Sequence, residues 1–279
     1  MTTILGIDAA WTPIEPSGVA VIQLRHGHWH CLAVAPSYNA LIDLATGHKV
    51  DWSKPTPGSP PDMPRLLQAA AAVAGETVTL VTIDMPVATR PIVGRREADQ
   101  AVSKAFGGRW CSAHSPSPKR PGSLGEALSS QFASLGYPVA TAGARPSAEP
   151  SLVEVYPHPA LLTLLGRERR VPYKVSRSTS YWPGRNVRDR IERLLSEFTA
   201  IDRAIRQNIE GVELILPRPD RVRTLSALKR YEDALDALVC CWVGIKYVIG
   251  EAYALGDDTA AIWCPSDSTV TTTTRANIQ

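Results

Sequence analysis

The chain has 279 residues, 44% of them hydrophobic and 20% charged. That is long enough to bury its own core, and the balance excludes a mainly disordered, collagen-like or coiled-coil polypeptide. The net charge of +3 is unevenly spread: residues 166–193 hold nine Lys/Arg against three Asp/Glu, and residues 85–122 hold seven against two. Such segments suit a polyanionic partner, or equally the solvated faces of helices and loops.

Taken in chain order, residues 4–8, 17–24 and 29–35 read as a meander of three strands. The Pro-rich stretch 51–63 is loop, and 64–74 is a helix with Pro64 near its start and Gly75 beyond its end. Residues 77–84, β-branched and apolar, read as a buried strand. A helix over 95–106 runs into 107–122, which has neither helical nor strand period; a loop that long is commonly functional. Residues 124–135 are helical, 151–156 a strand, 186–209 and 225–255 helical, 260–264 a last strand and 266–279 a polar, frayed tail. Strands mixed with helices imply an α/β fold on a mixed sheet. The expected organisation is one domain over 1–265, with 86–150 and 166–224 as insertions or a cap and 266–279 as a disordered tail. No run of about 18 uncharged apolar residues marks a membrane span. The opening MTTILGIDAA has no basic leader region, and five cysteines without metal-ligand spacing suit a reducing compartment, the cytoplasm.

Acids at strand ends draw attention, because an unpaired buried carboxylate is costly. Asp8 closes the run Ile4-Leu5-Gly6-Ile7, Asp84 closes Leu80-Val81-Thr82-Ile83, and Glu154 sits inside Leu152-Val153-Glu154-Val155-Tyr156. On the last long helix, Asp233 and Asp236 are three apart and so share a face. Ala237, Cys240 and Gly244 continue that face, and their small side chains let a helix approach a sheet closely. Mg²⁺ and Mn²⁺ prefer hard oxygen ligands, and paired ions of this kind activate water and stabilise a phosphodiester's leaving oxygen. Asp8, Asp84, Glu154, Asp233 and Asp236 match that need in number and type. The competing reading is that these acids cap loops and pair with the many arginines.

The motifs GIDAAW, VTIDMP, RREAD, VEVYP and YEDALDALV, in that order, resemble the family of predicted RNase H-like nucleases (domain of unknown function 429). The likeness covers residues 4–249. It implies an RNase H-like mixed five-stranded sheet flanked by helices, with its first three strands antiparallel. The D-x-x-D-A-L pattern on the last helix is also similar to the RuvC-like resolvases, where a final helix supplies metal-binding acids. Carried over, Asp8 is the central metal ligand, Asp84 the second-strand acid, and Asp233 or Asp236 the helix acid. Glu154 falls in the family's E-V-Y-P motif, either as a ligand or as the holder of a basic side chain. The implied activity is Mg²⁺- or Mn²⁺-dependent hydrolysis of a nucleic acid or another phosphodiester.

Supporting roles fall to several cations and aromatics. Arg95 or Arg96 shares a helix face with Asp99, giving an internal salt link or, alternatively, a substrate contact. Lys174 and Arg185 flank a stretch of hydroxyls and aromatics suited to phosphate contact, or simply an exposed loop. Trp110 and His114 are candidates for stacking on a base, and His158 for proton relay or for a structural role. Two other functions use the same core. An ATP-dependent phosphotransferase needs Gly-rich phosphate loops, but here the first loop carries Trp11, Pro13, Ile14 and Pro16. A non-catalytic nucleic-acid-binding protein would keep the acids for a purely stabilising ion.

Overall fold

A computed structural model describes residues 1–12, 14–147 and 149–266. An antiparallel meander comes first: β1 (Thr3–Asp8), β2 (Gly18–Arg25) and β3 (His28–Ala35). Its tight turn places His26 and Gly27 at φ 50° and 84°, the left-handed backbone that a two-residue hairpin connection demands. β4 (Leu80–Ile83) lies parallel to β1, and β5 (Ser151–Val155) parallel to β4. A closing hairpin of β6 (Ala252–Gly256) and β7 (Ala261–Pro265) adds to that edge, β7 running parallel to β5. The order across the sheet is β3-β2-β1-β4-β5-β7-β6.

The sheet therefore has seven strands among the described residues, not the five that the family resemblance implied; six, including 260–264, were legible from the residues themselves. The difference arises at the end of the chain. The helical pattern expected over 225–255 stops at Val248, Gly250 turns the backbone to φ 74°, and the next residues form the edge strand β6. Such a left-handed glycine is a common way to end a helix.

The helices are α1 (Tyr38–Ala45), α2 (Met63–Ala74), α3 (Glu97–Phe106), α4 (Leu124–Ser134), α5 (Pro157–Leu165), the single-turn α6 (Ser178–Tyr181), α7 (Val187–Arg206) and α8 (Lys229–Val248). Side chains of α1, α2 and α4 join Leu5, Ile7, Val81 and Ile83 in a core on one face of the sheet. Those of α5, α7 and α8 pack with Ile4, Val153 and Val155 on the other. α3 covers the β7 end through Ala98, Val102 and Phe106. Segments 86–150 and 166–224 thus both contribute core residues, Phe132 from the first and Phe198 from the second. Local chemistry sets the helix starts: Asp62 accepts from the amide of Arg65 at 3.2 Å, and Asn186 from that of Asp189 at 2.9 Å. α1 and α5 were not expected from sequence. In α5, Pro157 occupies the first turn, where a missing N–H costs nothing. Of the tail expected to fray (266–279), all but Ser266 lies outside the described residues.

One packing contact positions everything that follows. α8 crosses the sheet where there is no room for a side chain. A Cβ on Gly6 of β1 would collide with the Ala237 carbonyl oxygen and Cys241 Sγ, and one on Gly18 of β2 with the Asp233 carbonyl. On the helix itself, a Cβ at Gly244 would come within 2.9 Å of Thr82 Cγ2. Glycine in these strands weakens them locally, but it allows close backbone approach. That approach brings the acidic first turns of α8 against the C-terminal ends of β1 and β4.

Candidate active site

Asp8 and Asp84 are next-door neighbours. The register pairs Ile7 with Ile83, and the Asp84 amide donates to the Ile7 carbonyl at 2.9 Å. The two acids therefore end adjacent parallel strands, about 4.8 Å apart in backbone spacing, and alternation turns both toward α8. Both are half-buried. Facing them, α8 presents Glu232, Asp233 and Asp236, which are 1%, 2% and 0% exposed. Acids in the first turns of a helix suit its positive end. These groups, except the fully enclosed Asp236, line one cleft of about 620 Å³.

Two lysines sit among the acids. Lys229, at the start of α8, donates to Asp233 Oδ1 and to Glu232 Oε1, the latter at 3.0 Å. Lys174 donates to Asp236 Oδ2 at 2.5 Å and lies 3.5 Å from Glu232 Oε1. Tyr173 donates its hydroxyl to Asp236 Oδ1 at 2.6 Å, so both oxygens of Asp236 are occupied. Asp233 differs: its Oδ2 is buried and has no partner among the described residues. Among those residues no three His, Cys, Asp or Glu side chains stand close enough to encircle an ion as they are placed. The ammonium groups lie between them.

Two cations do not balance five carboxylates, and the proton affinities reflect it. Burial pushes Asp84 well above the usual carboxylate range, the charge on Asp8 pushes it further, and Lys174 only partly offsets this. Asp233 is likewise held well above its ordinary value by burial, against the pull of Lys229. Burial, opposed by Lys174 and reinforced by Asp8, carries Asp236 up to about 7. Glu232 moves down despite its burial, because Lys174, Lys229 and the Val175 amide, at 2.6 Å, all stabilise its charge. Lys174 itself resists burial and is raised by Asp236.

Glu154 lies elsewhere. Its register with Ile83 turns it to the opposite face of the sheet from Asp84. There Arg96 binds it through both terminal nitrogens at 2.6 Å while also pairing with Asp99 at 2.7 Å. The Val87 amide adds a bond to Glu154 Oε2 at 3.0 Å. This is the basic-side-chain alternative for Glu154 and the salt-link alternative for Arg96. Burial still raises the Glu154 carboxyl, with Arg96 opposing it.

Of the cations expected at the substrate, Lys174 is in the cleft. Arg95 is exposed and spent on Ser103, Ser115 and the Asp99 carbonyl, and Arg185 is exposed just before α7, beside Asp189. Trp110 stands outside the cleft against Arg169. His114 lines the cleft edge-on to Trp11, and burial, with Arg177 and Arg170, lowers its proton affinity. His158 is buried beneath Arg170. Sequence reasoning passed over Lys229, Tyr173 and the arginines of the cleft, and left Glu232, an acid of the same helix, out of the site. Lys229 had a local signal, three residues before Glu232 and four before Asp233 on one helix face; Tyr173 and the arginines come together with them only through the fold.

No curated protein and no solved structure matches the chain. Residues 6–261, however, match the family described as protein of unknown function (DUF429), a span that takes in every acid of the cleft, and the chain belongs to that family.

Proposed function

We propose that this protein is a divalent-metal-dependent phosphodiesterase acting on nucleic acid, built on an RNase H-like core. The carrying observation is the surplus of buried negative charge at one point: Asp8 and Asp84 side by side, Asp233 with an unpartnered oxygen, and three carboxyls held above their normal range. Such a group favours either protons or a hard cation. The central strand order β3-β2-β1-β4-β5, with the first three strands antiparallel, supports the RNase H-like reading.

Asp8, Asp84 and Asp233 are the residues that would hold Mg²⁺ or Mn²⁺. Bound there, the ion would offset charge on the phosphoryl oxygens and ease deprotonation of water. The chain's own groups do the rest. Asp236, tied to Tyr173 and Lys174, holds the Lys174 ammonium at the cleft, where it would steady a phosphoryl oxygen. Lys229 pairs with Asp233 and would have to yield for a cation to be held there. Arg96, Asp99 and Glu154 fix the loop after β4 from behind. All five cysteines are free, which suits a reducing compartment such as the cytoplasm; no helix among the described residues is long and apolar enough to cross a membrane.

The test is cleavage of labelled single- and double-stranded oligonucleotides with Mn²⁺, run beside Asp8→Asn and beside an ATP hydrolysis assay. Strands cut by the wild type and not by the variant support the reading. Phosphate released from ATP with strands intact would point to the phosphotransferase instead, and no turnover with retained binding would point to a non-catalytic binder.

A further inference from the structure

The cleft also carries charge of the opposite sign. Arg120, Arg170 and Arg177 line it together with His114, Asp8, Asp84 and Asp233. The arginines come from two distant segments, and like charges gathered in this way repel each other. Among the described residues none of the three forms an ion pair, whereas the outward-facing Arg185, Arg188 and Arg206 each have a carboxylate partner. Arg120 lies over the ring of Trp11, 5.8 Å from its centroid, and Arg177 is exposed.

Arg170 is held in place without being neutralised. Its Nη2 lies 2.5 Å from His158 Nε2. A guanidinium only donates, so Nε2 accepts and the proton of a neutral imidazole sits on Nδ1. Burial and the neighbouring Arg170 both hold His158 well below its usual proton affinity, which agrees with that assignment. His158 is 4% exposed, and its Nδ1 has no partner among the described residues. A buried neutral imidazole thus props Arg170 toward the cleft and leaves the full cationic charge for a ligand.

We propose that Arg120, Arg170 and Arg177 form a binding site for a terminal phosphomonoester, so that the cleft takes a nucleotide or a phosphorylated strand end. Guanidinium forks match phosphate oxygens, and three of them fit a dianionic end group better than a singly charged internal phosphate. The cleft volume of about 620 Å³ falls in the range that encloses small ligands, roughly 300–1,000 Å³. Trp11 and Tyr156, also in its lining, add aromatic surface suited to a base. The assignment of a nucleotide end rests on the function proposed above; the anion site itself does not.

Binding is measured by calorimetry, in chelator and again with Ca²⁺, for four probes: dithymidylate with a 5′-phosphate, with a 3′-phosphate, with hydroxyls at both ends, and thymidine 5′-monophosphate. One phosphorylated dinucleotide is expected to bind about tenfold or more tightly than the unphosphorylated one. That preference is expected to vanish in Arg177→Ala and Arg120→Ala and to persist in Arg188→Ala. Arg170→Ala is a third variant whose fold is checked separately, because it uncovers His158. Monophosphate binding as tight as the dinucleotide identifies a nucleotide site; weaker binding identifies a strand end. Equal binding of phosphorylated and unphosphorylated probes under both conditions, or a preference that survives all three arginine variants, overturns the proposal. A protein that holds the phosphate end but cuts nothing with Mn²⁺ would sink the hydrolase reading and leave this site standing.

Discussion

Two groups of acids lie on opposite faces of one sheet, and their charge is handled in opposite ways. Behind the sheet, Glu154 and Asp99 share one guanidinium, with a backbone amide completing the arrangement. In front of it, five carboxylates share two ammonium groups and one keeps an unpartnered oxygen. Burial alone does not separate the two groups, since Glu154 and Asp233 are 3% and 2% exposed. Charge balance does. The satisfied ion cluster holds a loop in place; the unsatisfied one lines a cleft, and the proposed function rests on that difference.

The largest expected effect breaks the satisfied side. Arg96→Ala leaves two buried carboxylates without their cation, a loss of about 3–5 kcal/mol by the usual cost of orphaning a buried charge, to be read by denaturant unfolding. On the other side, Asp8→Asn removes a repelling charge and is expected to leave folding stability unchanged or higher, while metal-dependent cleavage falls about 10²-fold or more. A bound ion supplies several kcal/mol to such a reaction, and each ~1.4 kcal/mol is tenfold in rate. If Asp8→Asn destabilised the protein as much as Arg96→Ala, the contrast would fail.

The next effect concerns what brings the acids together. Gly6→Ala drives a methyl into the Ala237 carbonyl and Cys241 Sγ. It is expected to cost about 1–3 kcal/mol as overpacking and to weaken cation binding by pushing α8 off the sheet. The smallest effect is a pH dependence. Because Asp236 is raised from 3.8 to about 7, the native state holds a proton that the unfolded chain has lost. This contribution is present at low pH and is lost as pH rises from about 4 through about 7. In metal-free buffer the wild type should therefore lose stability relative to Asp236→Asn across that window, by at least the ~1.4 kcal/mol that one pKa unit represents. Glu232, lowered by its lysines, works in the opposite direction. A thermal-melting series that shows no relative change would contradict the charge surplus.

Much of this was legible in the sequence, and what was not has a common cause. Apolar runs closed by an acid marked Asp8 and Asp84, and the small residues Ala237, Cys240 and Gly244 foretold the close helix–sheet approach. Glu154 looked equivalent because it too sits in an apolar run. Its face depends on register, and a one-residue offset between neighbouring strands reverses it. β6 was hidden by the continuing apolar pattern after α8. The two basic segments were visible as charge, but only folding brings Arg120 of one beside Arg170 and Arg177 of the other.

The central claim is that Asp8, Asp84 and Asp233 gather to hold a divalent cation, and calorimetric titration of the metal-free protein with Mn²⁺ tests it most directly. The account predicts saturable binding that disappears in Asp8→Asn and in Asp84→Asn, with both variants still folded. Absence of saturable binding in the wild type, or equal binding in the two variants, would contradict it.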